Sequence, residues 1–184
     1  MKKVLLSLLL VISIPLCVSA QEEISFSKVI KVDSTLNKES LYVSMRSFMA
    51  TYYKNSKKVI EMEDKEAGII IGKATSEFNA HSLFLSAYDG YLDYNIKIQT
   101  KDGRVRVELN HFFHHNIPGH QEAANLGVLT TAEEYATSGL QKKYHNKVWL
   151  MLKNQAETIS NKMFIDIEQA LKNAKPNKSN NDNW

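Results

Sequence analysis

The chain has 184 residues, 23 basic and 20 acidic side chains, a formal net charge of +3 and a single cysteine, Cys17. This length suits one domain that can bury a core of its own. One cysteine excludes an internal disulfide, and so small a net charge gives no electrostatic reason to expect a nucleic-acid partner.

The first twenty residues have the pattern of a secretory signal peptide. A lysine pair precedes an apolar run over residues 4–16, and small residues end the segment at Ala20. The run is shorter than the roughly 20 residues that a membrane-spanning helix needs. We therefore expect cleavage before Gln21 and a protein exported to the periplasm or cell envelope, with no membrane span after cleavage.

Cys17 raises the alternative of a lipid anchor. Pro15 and Leu16 precede it, where small residues would be expected, so the pattern disfavours lipidation. Cleavage after Ala20 removes two of the 23 basic residues and leaves 21 against 20 acidic ones. It also removes the only cysteine, which excludes thiolate catalysis and cysteine-bound zinc from the exported chain.

The exported part opens with a strand and a helix. Residues 24–33 are rich in β-branched side chains and alternate roughly with polar ones, which predicts a strand. Asn37 is placed to cap a helix over about residues 38–55. Apolar residues recur along it at spacings of three and four: Leu41, Met45, Phe48, Met49 and Tyr52. Burying such side chains contributes roughly 1.5–3 kcal/mol each, so we expect this stripe in the core rather than on a binding surface.

A first hairpin is predicted from two extended segments, residues 57–64 and 68–78. Gly68 stands where the turn tolerates positive φ. Gly72 lies inside the second segment, where a glycine indicates a bulge or the close approach of another backbone. A phosphate-binding loop is not indicated, because neither a second glycine nor a helix start follows Gly72.

The strongest hairpin signal is YLDYNIKIQTKDGRVRVELNHFF, residues 91–113, which turns at Asp102 and Gly103. Apolar and polar side chains alternate in both strands, so one face is expected in the core and the other in water. The core face comprises Tyr94, Ile96, Ile98, Val105, Val107 and Leu109. The polar face comprises Asp93, Asn95, Lys97, Gln99, Arg104, Arg106, Glu108 and Asn110.

That polar face is most simply a solvated surface, although a polar ligand or a protein partner can also use it. Its candidate binding residues are Lys97, Arg104 and Arg106. The segment between the hairpins, residues 79–90, predicts either a short covering strand or an apolar flap. Phe84 and Tyr88 are the candidate binding residues of that segment.

The C-terminal half begins with a predicted loop over residues 116–129. Thr131 and Glu134 then have a capping-box spacing, which predicts a short helical turn that Gly139 interrupts.

Residues 140–174 predict one long helix, because apolar side chains recur at spacings of three and four: Trp149, Leu152, Ala156, Ile159, Met163, Ile167 and Leu171. Pro176 ends the pattern, and residues 175–184 are expected to be a disordered polar tail. The predicted order is therefore β-α-β-β-β-β-α. Two helices on one face of an antiparallel sheet of about five strands would bury these stripes within a single α+β domain, residues 21–174.

Several segments resemble a family of exported Bacteroidetes proteins, the DUF4468 domain with a TATA-binding-protein-like (TBP-like) fold. They are FSKVIKVDS, LYVSMRSFMATYYKNSKKVI, DKEAGIIIGK and YNIKIQTKDGRVRVELNHFFHH. The resemblance covers about residues 24–115 and is most specific at 64–73 and 101–106. It implies a curved antiparallel sheet with helices on its convex side. It implies no activity and no site residues, since function lives in sites rather than folds. The polar face also lacks the phenylalanine wedges that bend DNA.

HFFHHNIPGH, residues 111–120, holds four of the six histidines and raises the question of a metal site. In a straight strand His111 and His115 share a face about 13 Å apart, and His114 points the opposite way. Zinc ligands each lie ~2.0–2.1 Å from the ion, so only a bend could assemble His114, His115 and His120. We predict instead that the last strand ends here, with Phe113 in the core, His111 partly buried, and His114 and His115 exposed.

Two functional classes remain open. The first is a non-catalytic envelope module that binds a protein, peptide or glycan, and it is favoured because no nucleophile or carboxylate pair stands in a recognised arrangement. The second is a metal-dependent enzyme that uses the histidine-rich loop, residues 111–120. We expect no cofactor and no nucleic-acid partner.

Overall fold

The computed structural model describes residues 21–53, 56–119 and 124–174. The predicted signal peptide, His120 and the predicted tail at 175–184 lie outside the described residues. The elements are β1 (Phe26–Lys31), α1 (Lys38–Tyr52), α2 (Ser56–Val59), β2 (Ile60–Asp64), β3 (Ile69–Phe78), a 3-10 helix (Leu83–Tyr88), β4 (Gly90–Lys101), β5 (Arg104–Asn116), β6 (Gly127–Val128) and α3 (Lys142–Lys172). No helix in these ranges is long and apolar enough to cross a membrane.

The strands form one antiparallel sheet in the order β1-β5-β4-β3-β2, and the short β6 pairs with the far end of β5. The long strands β4 and β5 lie at the centre and are joined by the turn at Asp102 and Gly103, where Gly103 has φ +67°. The predicted α+β class is confirmed, and the antiparallel sheet contains the five main strands that the sequence predicted. The predicted loop at 116–129 contains β6 as a sixth, two-residue strand.

Helices α1 and α3 bury their apolar stripes against one face of this sheet. Asn37 caps α1 as predicted, since its side chain accepts a hydrogen bond from the Ser40 N–H at 2.9 Å. One buried cluster joins α1, α3 and the central strands. Fully buried members include Leu41, Met45, Met49, Leu152, Met163, Ile167, Ile96, Ile98, Val105, Val107 and Leu109. The opposite face of the sheet carries the polar side chains of the central hairpin.

The first hairpin shows why its two glycines are required. Gly68 has φ +70°, as its turn position predicts. A Cβ on Gly72 would lie 2.9 Å from the carbonyl oxygen of Val59, and the pairing of β2 with β3 shifts register between Ile60 and Met62. Gly72 thus marks both a bulge and a close backbone approach, as predicted.

The helical turn predicted at Thr131 does not form. The backbone N–H of Tyr135 is bonded to Asn146 Oδ1 at 3.0 Å, and the carbonyl of Ala132 accepts a hydrogen bond from Trp149 Nε1 at 3.1 Å. Side chains of α3 therefore satisfy the backbone groups that a helical turn would have used, and this segment packs on α3 in an irregular conformation.

Strand β5 bulges at His111. Between two regular stretches of pairing, Tyr94 of β4 faces two residues of β5, His111 and Phe112. His111 has φ +52°, a conformation that is uncommon for a residue other than glycine. One extra residue reverses the side-chain alternation of the strand beyond it.

This reversal corrects the predicted placement of the residues that follow. Phe112 and His114 are fully buried, whereas Phe113 is 37% exposed on the polar face and His115 shares that face. The prediction of a buried Phe113 and an exposed His114 is therefore wrong, because it assumed a straight strand. Phe112 takes the core position and stacks on Tyr94 with ring centroids 5.5 Å apart.

Candidate binding surface

The side chains of β1, β3, β4 and β5 that point away from the helices form one surface, called here the open face. On β4 and β5 every such side chain keeps some exposure to solvent. The three predicted binding residues of the central hairpin, Lys97, Arg104 and Arg106, all lie on it. Their roles differ, because their cross-strand neighbours differ.

A row of three cations crosses one end of the open face. Arg104 of β5 stands directly opposite Lys31 of β1 on one side and Lys101 of β4 on the other. Among the described residues none of the three forms an ion pair with a carboxylate. Like charges directly opposite each other destabilise a sheet. With Arg106 in the next row, we call this group the basic corner.

The basic corner contains a cleft of about 270 Å³, lined by Val29, Gln99, Lys101, Arg104 and Arg106. Guanidinium groups match the geometry of carboxylate, sulfate or phosphate oxygens through paired N–H donors. Val29 is 52% exposed and adds an apolar contact beside them. The cleft can therefore hold an anionic group that is attached to a partly apolar body.

Arg106 is held in place by its neighbours. Its Nε donates a hydrogen bond to Ser27 Oγ at 3.3 Å, and its Nη2 lies 3.4 Å from Glu108 Oε2. Glu108 in turn accepts a hydrogen bond from the Asn110 side-chain amide at 2.9 Å. Lys97 stands directly opposite Glu108, an ordinary stabilising pair of opposite charges. The pair with Glu108 therefore explains the position of Lys97 as a stabilising contact of the sheet. The row of three cations through Arg104 has no such stabilising partner among the described residues.

At the other end of the open face Asp93 is the centre of a polar cluster. Thr75 Oγ1 donates a hydrogen bond to Asp93 Oδ1 at 2.6 Å. The second oxygen, Oδ2, lies 3.5 Å from His115 Nε2 and 4.0 Å from Lys73 Nζ. The Asp93 side chain is 19% exposed, so one of its oxygens is fixed while the carboxylate still reaches solvent.

Three rings lie beside Asp93 on the open face. The His115 ring is 5.4 Å from the Tyr91 ring and 6.2 Å from the Phe113 ring, with interplanar angles of 33° and 37°. We call Tyr91, Phe113 and His115 the aromatic platform. Local sequence patterns did not predict the aromatic platform, because a straight strand would have put Phe113 in the core.

The two aromatic candidates between the hairpins both lie in the 3-10 helix, but one is exposed to solvent and the other is buried. Phe84 is 89% exposed next to an equally exposed Leu83. Tyr88 lies in the core, its ring 5.6 Å from that of His145, and burial raises the pKa of its hydroxyl. The segment is thus neither a strand nor a loose flap, and Tyr88 has a packing role.

The histidine cluster is divided between the two faces of the sheet. Both ring nitrogens of His114 are hydrogen-bonded to backbone groups, so neither is open to a metal ion. His115 points to the opposite face, and His120 lies outside the described residues. Within the described ranges no group of three histidine, cysteine, aspartate or glutamate side chains is placed to hold a metal.

Comparison with known proteins identifies the domain. Residues 26–115 match the family described as "Domain of unknown function (DUF4468) with TBP-like fold". This segment is a DUF4468 domain. The curated proteins contain no match to the chain.

Two solved structures share the fold of this protein. A TBP-like protein from Parabacteroides distasonis has 14% identity and a TM-score of 0.61, over 83% of this chain and 95% of its own. A DUF4468 family protein from Bacteroides ovatus has 19% identity and a TM-score of 0.53, over 88% of this chain and 95% of its own. The TBP-like fold is therefore confirmed, and at these identities the likeness extends to the fold alone.

Proposed function

We propose that this protein is an exported, non-catalytic binding module whose ligand carries acidic groups and contacts the open face at the basic corner. The observation that carries the proposal is the row of Lys31, Arg104 and Lys101, three cations directly opposite one another without an ion-pair partner among the described residues. Their mutual repulsion would be relieved by an anion bound between them.

The chemistry of the corner suits recognition. Arginine stays protonated at every physiological pH and can only donate hydrogen bonds, so Arg104 and Arg106 favour an oxyanion in a fixed orientation. Because the chain as a whole is near neutral, the positive potential is local to this end of the sheet. The ligand is therefore selected by a patch of surface and not by the net charge of the protein.

Binding of simple polyanions tests the proposal. Fluorescence anisotropy with labelled oligogalacturonate and labelled polyglutamate would be measured for the wild type and for the double variant Lys101→Glu/Arg104→Glu. The matched control, Lys143→Glu/Lys147→Glu, makes the same charge change at exposed positions of α3. We expect at least a tenfold loss of affinity in the first double variant and none in the control, with affinity falling as salt rises.

Two outcomes would contradict the proposal. If both double variants lost affinity equally, the polyanions would be responding to overall charge. If duplex DNA bound more tightly than either probe under the same salt conditions, the open face would be a nucleic-acid surface instead.

The export part of the proposal rests on the pattern of residues 1–20. Mass spectrometry of the N-terminal peptide of the protein recovered from the envelope fraction should identify a chain that begins at Gln21. A lipid-modified chain beginning at Cys17 would show that the protein is anchored.

A further inference from the structure

Packing of the described residues does not require the rings of the aromatic platform to face solvent. The bulge at His111 turns Phe113 outward, opposite Asp93 and on the same face as His115. His115 in turn stands opposite Tyr91. The core at this level is already filled by Phe112. A half-exposed row of three rings is therefore maintained by a backbone conformation, φ +52° at His111, that a non-glycine residue adopts rarely.

The groups around the platform add hydrogen-bonding capacity at its rim. Asp93 Oδ1 is taken by Thr75, whereas Oδ2 has only the looser contacts to His115 and Lys73 at 3.5 and 4.0 Å. Aromatic faces carry partial negative charge and attract C–H groups, and a carboxylate oxygen accepts hydrogen bonds from hydroxyls. A pyranose ring offers both, with C–H groups on its face and hydroxyls around its edge.

The platform and the basic corner lie on the same two strands. Arg106 and Phe113 are seven positions apart on β5, one of them taken up by the bulge, so they are separated by roughly 20 Å. The side chains between them on the open face are polar: Asn95, Lys97, Glu108 and Asn110. A single small anion cannot reach both ends, and an extended polar chain can.

We propose that the aromatic platform is a second subsite that stacks a pyranose ring, and that the ligand of the open face is an acidic oligosaccharide lying along β4 and β5. Its carboxylate or sulfate groups bind in the cleft between Arg104 and Arg106. This inference rests on the proposed function, since it names the ligand of the same surface.

The test compares two probes of similar charge, oligogalacturonate and polyglutamate, of which only the first contains sugar rings. Affinities would be measured for the wild type, Tyr91→Ala/Phe113→Ala, the conservative variant Phe113→Trp and the control Tyr144→Ala, which removes a half-exposed ring from α3. We expect the platform double variant to lose about tenfold in affinity for oligogalacturonate and nothing for polyglutamate. Tyr144→Ala should bind both probes as the wild type does. Phe113→Trp, which keeps an aromatic ring on the platform, should keep most of the oligogalacturonate affinity that the double variant loses. A sulfated oligosaccharide probe shows which acidic group the cleft prefers.

The outcomes separate this inference from the proposed function. If the platform variant bound oligogalacturonate as the wild type does while Lys101→Glu/Arg104→Glu lost it, the sugar subsite would be refuted and the basic corner would stand. If Lys101→Glu/Arg104→Glu also bound oligogalacturonate normally, both the sugar subsite and the proposed role of the basic corner would be refuted. Thermal melts of each variant confirm that the fold is intact before affinities are compared.

Discussion

His114 Nδ1 accepts a hydrogen bond from the backbone N–H of Leu126 at 3.2 Å, while Nε2 of the same ring donates to the carbonyl of Tyr88 at 2.9 Å. The Leu126 N–H can only donate, so the ring is neutral with its proton on Nε2. Burial lowers the pKa of His114 to about 4. The side chain thereby ties β5 to the 3-10 helix and to the segment that precedes β6.

Removing this ring should strongly destabilise the fold. In His114→Ala the Tyr88 carbonyl and the Leu126 N–H both lose a buried partner, each worth about 1–3 kcal/mol, and a cavity is added. We expect a loss of about 3–5 kcal/mol in the free energy of unfolding, measured by urea denaturation. His115→Ala, on the open face, should change it by about 1 kcal/mol or less. Equal losses in the two variants would contradict this placement of the two histidines.

The same ring should make stability depend on pH. Its pKa is about 4 in the folded state and 6.5 for an ordinary histidine in solution, so the unfolded chain binds the proton more tightly. The contribution of neutral His114 is therefore complete above about pH 6.5 and is lost as pH falls towards 4, on the order of 3 kcal/mol in all.

Urea unfolding between pH 4 and pH 7.5 checks this dependence, with His114→Gln as the reference because its side chain does not titrate. The difference in stability between wild type and variant should shrink by about 3 kcal/mol on acidification. Two parallel stability curves would show that His114 is not buried in its neutral form.

The bulge at His111 predicts opposite results for two adjacent phenylalanines. Phe112→Ala should cost about 3–5 kcal/mol, since it empties a fully buried site beside Tyr94. Phe113→Ala should cost about 1 kcal/mol or less, because its ring lies on the open face. A straight strand requires the reverse order, so thermal or chemical unfolding of the two variants discriminates between the two registers.

Local patterns predicted much of this fold, because the features concerned depend on neighbours in the chain. The alternation of Tyr94, Ile96 and Ile98 identified the core face of β4, and Asn37 identified the start of α1. The bulge at His111 was not predicted, because it arises where Tyr94 pairs with two residues of another strand, His111 and Phe112. Beyond that point Phe113 and His114 were assigned to the wrong faces of the sheet.

Only those residues of the candidate site whose positions depend on neighbours in the chain were predicted. Arg104 and Arg106 were selected from the polar face of a hairpin whose register its turn determines. Lys31 was not selected, because its position opposite Arg104 depends on pairing between strands more than 70 residues apart. The partners of His114 are likewise distant in sequence, at Tyr88 and Leu126, and no local spacing reveals them.

The 3-10 helix offers a further matched pair of positions. Leu85 is buried and Phe84 projects into solvent. Leu85→Ala should lower the free energy of unfolding by about 2–5 kcal/mol, whereas Phe84→Ser should change it by about 0.5 kcal/mol or less. Differential scanning calorimetry of the two variants suffices, and a large loss in Phe84→Ser would mean that this ring packs against the protein.

Site-directed blocking of the open face tests whether ligands bind there. Because Cys17 is the only cysteine and lies in the predicted signal peptide, a chain beginning at Gln21 can carry one introduced thiol. Asn95→Cys places it midway between the basic corner and the aromatic platform, and Asn161→Cys places it on the exposed side of α3. Each variant would be coupled to a bulky maleimide and titrated with oligogalacturonate. We expect the label at position 95 to abolish binding and the label at position 161 to leave it unchanged. Undiminished binding with position 95 blocked would contradict binding at the open face.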